Sequence, residues 1–159
     1  MSDPEHADPT MVDPTRVAAI RARLERREQL DVASLEPLAR AAGAVAERAH
    51  APYSKLRVGA AVVDRAGRVV VGCNVENASY GLTVCAERTA LASARAVGLG
   101  PIDLVVLTSS AGAIPPCGAC RQVLLELAPE AWVVAFGGGS VRAWSVRDLL
   151  PSAFEGLSY

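Results

Sequence analysis

The chain has 159 residues, about half of them hydrophobic, and a formal net charge of −1. Those values suit one globular domain with a real core. Arg and Glu are interspersed along most of its length, which leaves no basic stripe for a nucleic acid and no acidic tail for a charge-driven partner.

Residues 1–10 include Asp3, Pro4, Glu5, Asp8 and Pro9, and the first twelve residues are expected to be disordered. They lack the basic start and apolar run of a secretory signal. No apolar stretch approaches the roughly 20 residues of a membrane span. The expected location is therefore cytoplasmic, where the four cysteines are expected to bind metal or act in catalysis rather than form disulfides.

Asp13-Pro14 has the form of an N-cap followed by a first-turn proline. Val17, Ile20 and Leu24 follow at helical spacing, predicting a helix to about residue 29. Arg16, Arg21, Arg23, Glu25, Arg26 and Arg27 are read as its solvated face. A second helix is predicted over 34–50 from the stripe Leu35, Leu38, Ala42 and Val45, ended by Ala51-Pro52. Residues 58–64 and 68–75 read as strands joined by a tight turn at Ala66-Gly67. A helix over 85–97 is stopped by Gly98 and Gly100. The β-branched run 102–108 reads as a strand buried on both faces. A helix over 117–128 follows Pro115-Pro116, then strands over 132–136 and 141–146 and a short helix over 146–150. Helices interleaved with strands predict a three-layer α/β/α sandwich around one mixed five-stranded sheet. Residues 1–30 are expected to form an N-terminal extension and 31–159 the domain proper.

Two segments carry the chemistry: Cys85-Ala86-Glu87-Arg88 and Pro116-Cys117-Gly118-Ala119-Cys120. Cys85 and Cys117 both begin predicted helices, where unpaired N–H groups and partial positive charge favour the thiolate. A Cys-x-x-Cys pair alone could equally be a redox couple or half of a structural zinc site. A structural site wants a fourth Cys or His. Cys73, inside a predicted strand, reads as a small buried hydrophobe. His6 falls in the tail and His50 at a helix end, and both read as solvated. Three sulfurs with an open fourth position make a catalytic zinc centre, because the open position takes water. Glu87, two residues after a ligand, is placed to take a proton from that water and return it to a leaving group. Three thiolates leave Zn²⁺ with a formal −1, and Arg88 is expected to offset it by hydrogen bonding to the sulfurs.

These motifs resemble those of the small homotetrameric zinc-dependent cytidine deaminases, whose Cys-x-Glu and Pro-Cys-x-x-Cys pattern is shared by zinc nucleobase deaminases generally. The likeness runs over residues 51–154. It includes Ala51-Pro52-Tyr53-Ser54, Val58-Gly59-Ala60-Ala61, the stretch from Gly72 to Tyr80, and Leu149-Leu150-Pro151-Ser152-Ala153-Phe154. It implies one Zn²⁺ per subunit, held by Cys85, Cys117 and Cys120. It also implies attack of a zinc-activated water on C4 of cytosine, with Glu87 shuttling the proton to N3 and then to the amine. Ala86 N–H would help hold the base, and Asn74 and Glu76 would bind the ribose 3′-hydroxyl. Tyr80 and Phe154 would reach a neighbouring subunit's site, with Phe154 covering the base, in a homotetramer with shared active sites. The expected substrate is a small-molecule nucleoside, not a nucleic acid, and no membrane is involved.

Leu56 stands where the family usually has Phe. An aliphatic wall in place of a flat aromatic one is expected to loosen the pocket toward substituted cytosines. Pro115 replaces a common Ser but keeps its backbone carbonyl, which the family uses near the leaving amine. The main expectation is therefore hydrolysis of cytidine and 2′-deoxycytidine. The alternatives are a related deaminase of a modified cytosine nucleoside or cytosine-containing antibiotic, and a non-catalytic zinc-binding module.

Overall fold

Strand β1 (Val58–Asp64) is buried at every position, and β3 (Ile102–Ser109) at all but one. Strands covered on both faces belong in the middle of a sheet. They lie side by side, antiparallel, in the order β2-β1-β3-β4-β5, with β2 (Val69–Cys73), β4 (Trp132–Gly137) and β5 (Ser140–Ser145) completing the sheet. Only β3 and β4 pair in parallel. The protein is described by a computed structural model for residues 11–154 and Gly156.

Helices α1 (Pro14–Glu25) and α2 (Val32–Ala46) cover one face. Their Val17, Ile20, Leu24, Leu35, Leu38 and Ala42 pack against Ala61, Val63, Leu104, Val106 and Val134. Helices α3 (Ala86–Ala96) and α4 (Gly118–Leu127), with the short α5 (Val146–Leu149), cover the other. There Ala90, Leu91, Leu124 and Leu149 meet Ala60, Val62, Val105, Leu107, Val133 and Ala135. Strand alternation sends neighbouring residues to the two layers, so the expected α/β/α sandwich is the observed one.

Several boundaries differ from the sequence reading. Asp13 caps α1 through Thr15 N–H, as expected, but the helix ends at Glu25, not near residue 29. Arg27 turns left-handed (φ 55°), and Glu28 N–H closes back on the Arg23 carbonyl, a Schellman-type stop. Leu24 is the last buried residue of the α1 stripe, so nothing holds a further turn. Helix α2 ends at Ala46 rather than His50, and Ala46 rather than Val45 completes its buried stripe. Strand β2 stops at Cys73, and Val75 continues it only as isolated bridges to His50 and Val84. The predicted disorder over 1–12 lies largely outside the described residues. Met11 bridges Arg68, and Val12 N–H donates to the Gly67 carbonyl. Arg21 is not part of a solvated face: its guanidinium reaches the buried Asp103 carboxylate, which Arg65 also holds. Gly67 (φ 82°) makes the β1–β2 turn as predicted.

The sandwich presses α3 closely onto β2. A Cβ at Gly72 would lie 2.5 Å from Ala90 N and 3.0 Å from the Ala86 carbonyl oxygen. Only glycine admits that approach, and it sets the height at which the first turn of α3 sits over the sheet.

Candidate active site

Cys85 and Cys117 are the N-cap residues of α3 and α4, and neither side chain caps its own helix. Both sulfurs are therefore free to face one point. With Cys120, one turn into α4, their sulfur atoms all lie within 4.8 Å of one another. The Cys85 and Cys117 sulfurs are 3.7 Å apart. Tetrahedral zinc with Zn–S bonds of about 2.3 Å puts its sulfur ligands roughly 3.8 Å apart, so the donor set suits that ion in type and spacing. Cys73 is half-buried rather than fully enclosed and lies outside the cluster. His50 is exposed, and His6 lies outside the described residues.

The sulfurs of Cys85 and Cys120 differ in acidity. Hydrogen bonding from Cys120 lowers the Cys85 pKa to about 5 against the effect of burial, with further help from Cys117 and Arg88. The Cys120 thiol is pushed up by its contact with Cys85 and by burial. Arg88 donates to the Thr83 carbonyl at 2.7 Å and turns its charge toward Cys85 and Cys120. Burial works against that charge, and the sulfurs more than offset it. Its Nε is buried with no hydrogen-bond partner among the described residues.

Glu87 is 5% exposed. Burial raises its pKa above the ordinary glutamate value, and the nearby Cys85 adds to the rise. A carboxyl poised nearer neutrality is suited to moving protons. Glu87 lines a cavity of about 190 Å³ with Cys85, Cys117, Ala86, Leu56 and Asn74. Leu107, Ile114 and Pro115 form its apolar wall. A second hollow, of about 270 Å³, shares Ser54, Glu76 and Thr83 with the first and adds Tyr53 and Tyr80.

The cavity thus brings together Glu87, Cys85, Cys117, Ala86, Leu56, Asn74 and Glu76 from the sequence reading. Asn74 and Glu76 are engaged with the chain itself. Asn74 accepts from Val58 N–H at 2.9 Å and donates to the Leu56 carbonyl at 2.8 Å. Glu76 accepts from Tyr53 N–H and from Ser54. Cys120 and Arg88 lie behind the lining, at the sulfur cluster, and Tyr80 and Phe154 do not line this cavity either. Tyr80 is 79% exposed and borders only the second hollow, edge-on to Tyr53 at 6.3 Å between ring centres. Phe154 is 71% exposed and lies by Gln122, whose Nε2 donates to its carbonyl. Ser54, Thr83 and Ile114 were not picked out as site residues. Ser54 had a signal, since it stands beside the pocket-lining Leu56; Thr83 and Ile114 carry none in local sequence.

Known proteins match this arrangement. The sequence model of the cytidine and deoxycytidylate deaminase zinc-binding region matches residues 33–136. A cytidine deaminase of Halalkalibacterium halodurans is 47% identical over 111 residues, 68% of this chain and 84% of that one. One from Mycobacterium tuberculosis is 44% identical over 107 residues, 67% of this chain and 78% of that one. The crystal structure of a cytidine deaminase from Burkholderia pseudomallei superposes with a TM-score of 0.71 at 52% identity, covering 75% of this chain and 98% of that one. With three sulfurs and a buried glutamate gathered at two helix starts, and with these likenesses over most of its length, the chain belongs to the cytidine and deoxycytidylate deaminase zinc-binding family.

Proposed function

We propose that this protein deaminates cytidine and 2′-deoxycytidine hydrolytically, giving the uridine nucleoside and ammonia. The observation that carries this is the buried Glu87 beside the three-sulfur cluster, at the floor of a small, largely apolar cavity. Cys85, Cys117 and Cys120 would hold one zinc ion, which when bound supplies an acidified water at the cavity floor. Glu87 takes one proton there and gives it to N3 of the cytosine ring as the oxygen adds at C4; it then passes the second proton, from that oxygen, to the amine as the C4–N bond breaks. Ala86 N–H, at the start of α3 and in the cavity lining, donates to the base. Arg88 favours the ionised form of Cys85. The apolar wall of Leu56, Leu107 and Ile114 fits the ring and keeps bulk water out. Asn74 in the cavity wall and Glu76 at the junction with the second hollow take the ribose hydroxyl with the hydrogen-bonding capacity they have left.

The exposed rings of Tyr80 and Phe154 support completion of each site by a neighbouring copy, in a homotetramer. Among the described residues no helix is long and apolar enough to cross a membrane, and a cytoplasmic location fits that. The family match from residue 33 supports reading 31–159 as the deaminase domain and 1–30 as an extension to it.

The test is an ultraviolet assay of the purified zinc protein on cytidine, 2′-deoxycytidine, cytosine and CMP. Faster turnover of CMP or free cytosine than of cytidine would overturn the substrate assignment. A second reading, a modified cytosine nucleoside, is favoured by the aliphatic Leu56 in the cavity wall. Under that reading Leu56→Phe lowers activity on 5- or N4-substituted cytidines relative to cytidine; an unchanged ratio argues against it.

A further inference from the structure

The segment 53–58 forms one side of the cavity and is fastened to residues 74–76 by side chains. Glu76 Oε2 accepts from Tyr53 N–H at 2.8 Å, and both carboxylate oxygens lie 3.3 Å from Ser54 N. The Ser54 hydroxyl donates to Glu76 Oε1 in a short hydrogen bond. The same hydroxyl oxygen accepts from Leu56 N–H at 3.0 Å. Lys55, between them, takes a left-handed conformation (φ 61°), and that tight bend lets Leu56 N–H turn back on Ser54. Ser54 therefore touches both the pocket wall and the carboxylate, at the border shared by the two hollows.

A carboxylate has about four acceptor sites. Tyr53 N–H, Ser54 N–H and the Ser54 hydroxyl occupy three of them. About one remains for a ligand, and it can only accept. That suits one hydroxyl of a neutral sugar and repels a phosphate.

We infer that Ser54 is a positioning residue, whose hydroxyl fixes the Glu76 carboxylate at the junction of the two hollows so that it accepts one substrate hydroxyl. This rests on the nucleoside reading of the site. Without Ser54 the carboxylate would be free to turn and hydrate, and the sugar would be bound less well, while the chemistry at Glu87 would be unaffected.

The experiment uses the zinc-loaded full chain and the variants Ser54→Ala and Ser54→Thr. Ser54→Ala is expected to raise KM for cytidine by about tenfold with kcat, zinc content and Tm close to wild type. Ser54→Thr, which keeps the hydroxyl, restores KM. On 3′-deoxycytidine, which lacks the hydroxyl read by Glu76, wild type and Ser54→Ala behave alike. A substrate-free readout is the NMR titration of the Glu76 carboxyl. In the wild type it lies below the ordinary glutamate value, chiefly through the Ser54 hydroxyl, with backbone donors and His50 adding to it; Ser54→Ala moves it upward. An unchanged KM, an equal loss on both nucleosides, failure of Thr to rescue, or an unmoved Glu76 titration would each overturn the inference. Wild-type protein inactive on cytidine would overturn the nucleoside reading and the sugar role with it. That case is told apart by the Glu76 titration, which reports the Ser54 contact without substrate.

Discussion

At the scale of single residues, the division of labour follows burial. Glu87 is enclosed and its proton affinity is raised; Glu76 is only partly enclosed and its proton affinity is lowered by the donors around it. One carboxyl is thereby suited to exchanging protons and the other to staying ionised and accepting hydrogen bonds. Glu87→Gln is expected to retain one zinc per chain by metal analysis and to lower kcat on cytidine by about 10²–10⁴-fold. Full activity with zinc retained would remove Glu87 from the reaction. The sulfur cluster and Glu87 could be read directly from the sequence, because each cysteine is set by a spacing of two or three residues at a helix start. The commitments of Asn74 could not be read so. Its partners Leu56 and Val58 lie 18 and 16 positions away and meet it only through β1–β2 pairing.

At the scale of elements, the interiors of helices and strands were legible, and their ends were not. Periodicity reports the buried stripe, whereas an end depends on where tertiary support stops. Helix α1 ends once Leu24 has been buried, and β2 ends where His50 and Val84 take over pairing from β1. The tie from Arg21 to Asp103 spans 82 positions and leaves no local trace. Close packing of α3 on β2 makes a sharper prediction. Gly72→Ala would drive a methyl group into the backbone of the helix that begins with Cys85 and carries Glu87. A cost of about 1–3 kcal/mol is expected in urea denaturation, together with weaker zinc retention, because the displaced turn adjoins the Cys85 ligand. Loss of stability with normal zinc affinity would show that β2 rather than α3 gives way.

At the scale of the whole molecule, the order of elements was enough to predict the layers, since strands interleaved with helices have few ways to bury both faces of a sheet. What held the far end of the sheet was not legible. Asp64 is 1% exposed and accepts from Arg68 N–H, Gly100 N–H and the Arg68 guanidinium. Burial pushes its carboxyl up, but these donors together hold it below the ordinary aspartate value of 3.8. Its stabilisation is therefore complete above about pH 4 and is lost as pH falls through the lowered folded value. The stability gap between wild type and Asp64→Asn, followed by urea denaturation from pH 7 to pH 2, is expected to narrow only below about pH 4. A gap already closing at pH 6 would assign it to another group.

The sulfur cluster has a further consequence, one of chain entropy. Cys85 and Cys117 are 32 positions apart, and the loop between them contains all of α3 and the central strand β3. An ion gripped at both ends of that loop fastens the α3 half of the molecule to the α4 half around β3. Because the unfolded chain offers no assembled site, binding free energy becomes folding free energy. Each tenfold rise in free zinc above its dissociation constant then adds about 1.4 kcal/mol of stability. Melting curves recorded in zinc buffers are expected to climb with log[Zn²⁺] and to fall on chelation. The catalytic centre thus acts also as a removable cross-link, so that this chain's persistence in a cell is tied to the local supply of metal.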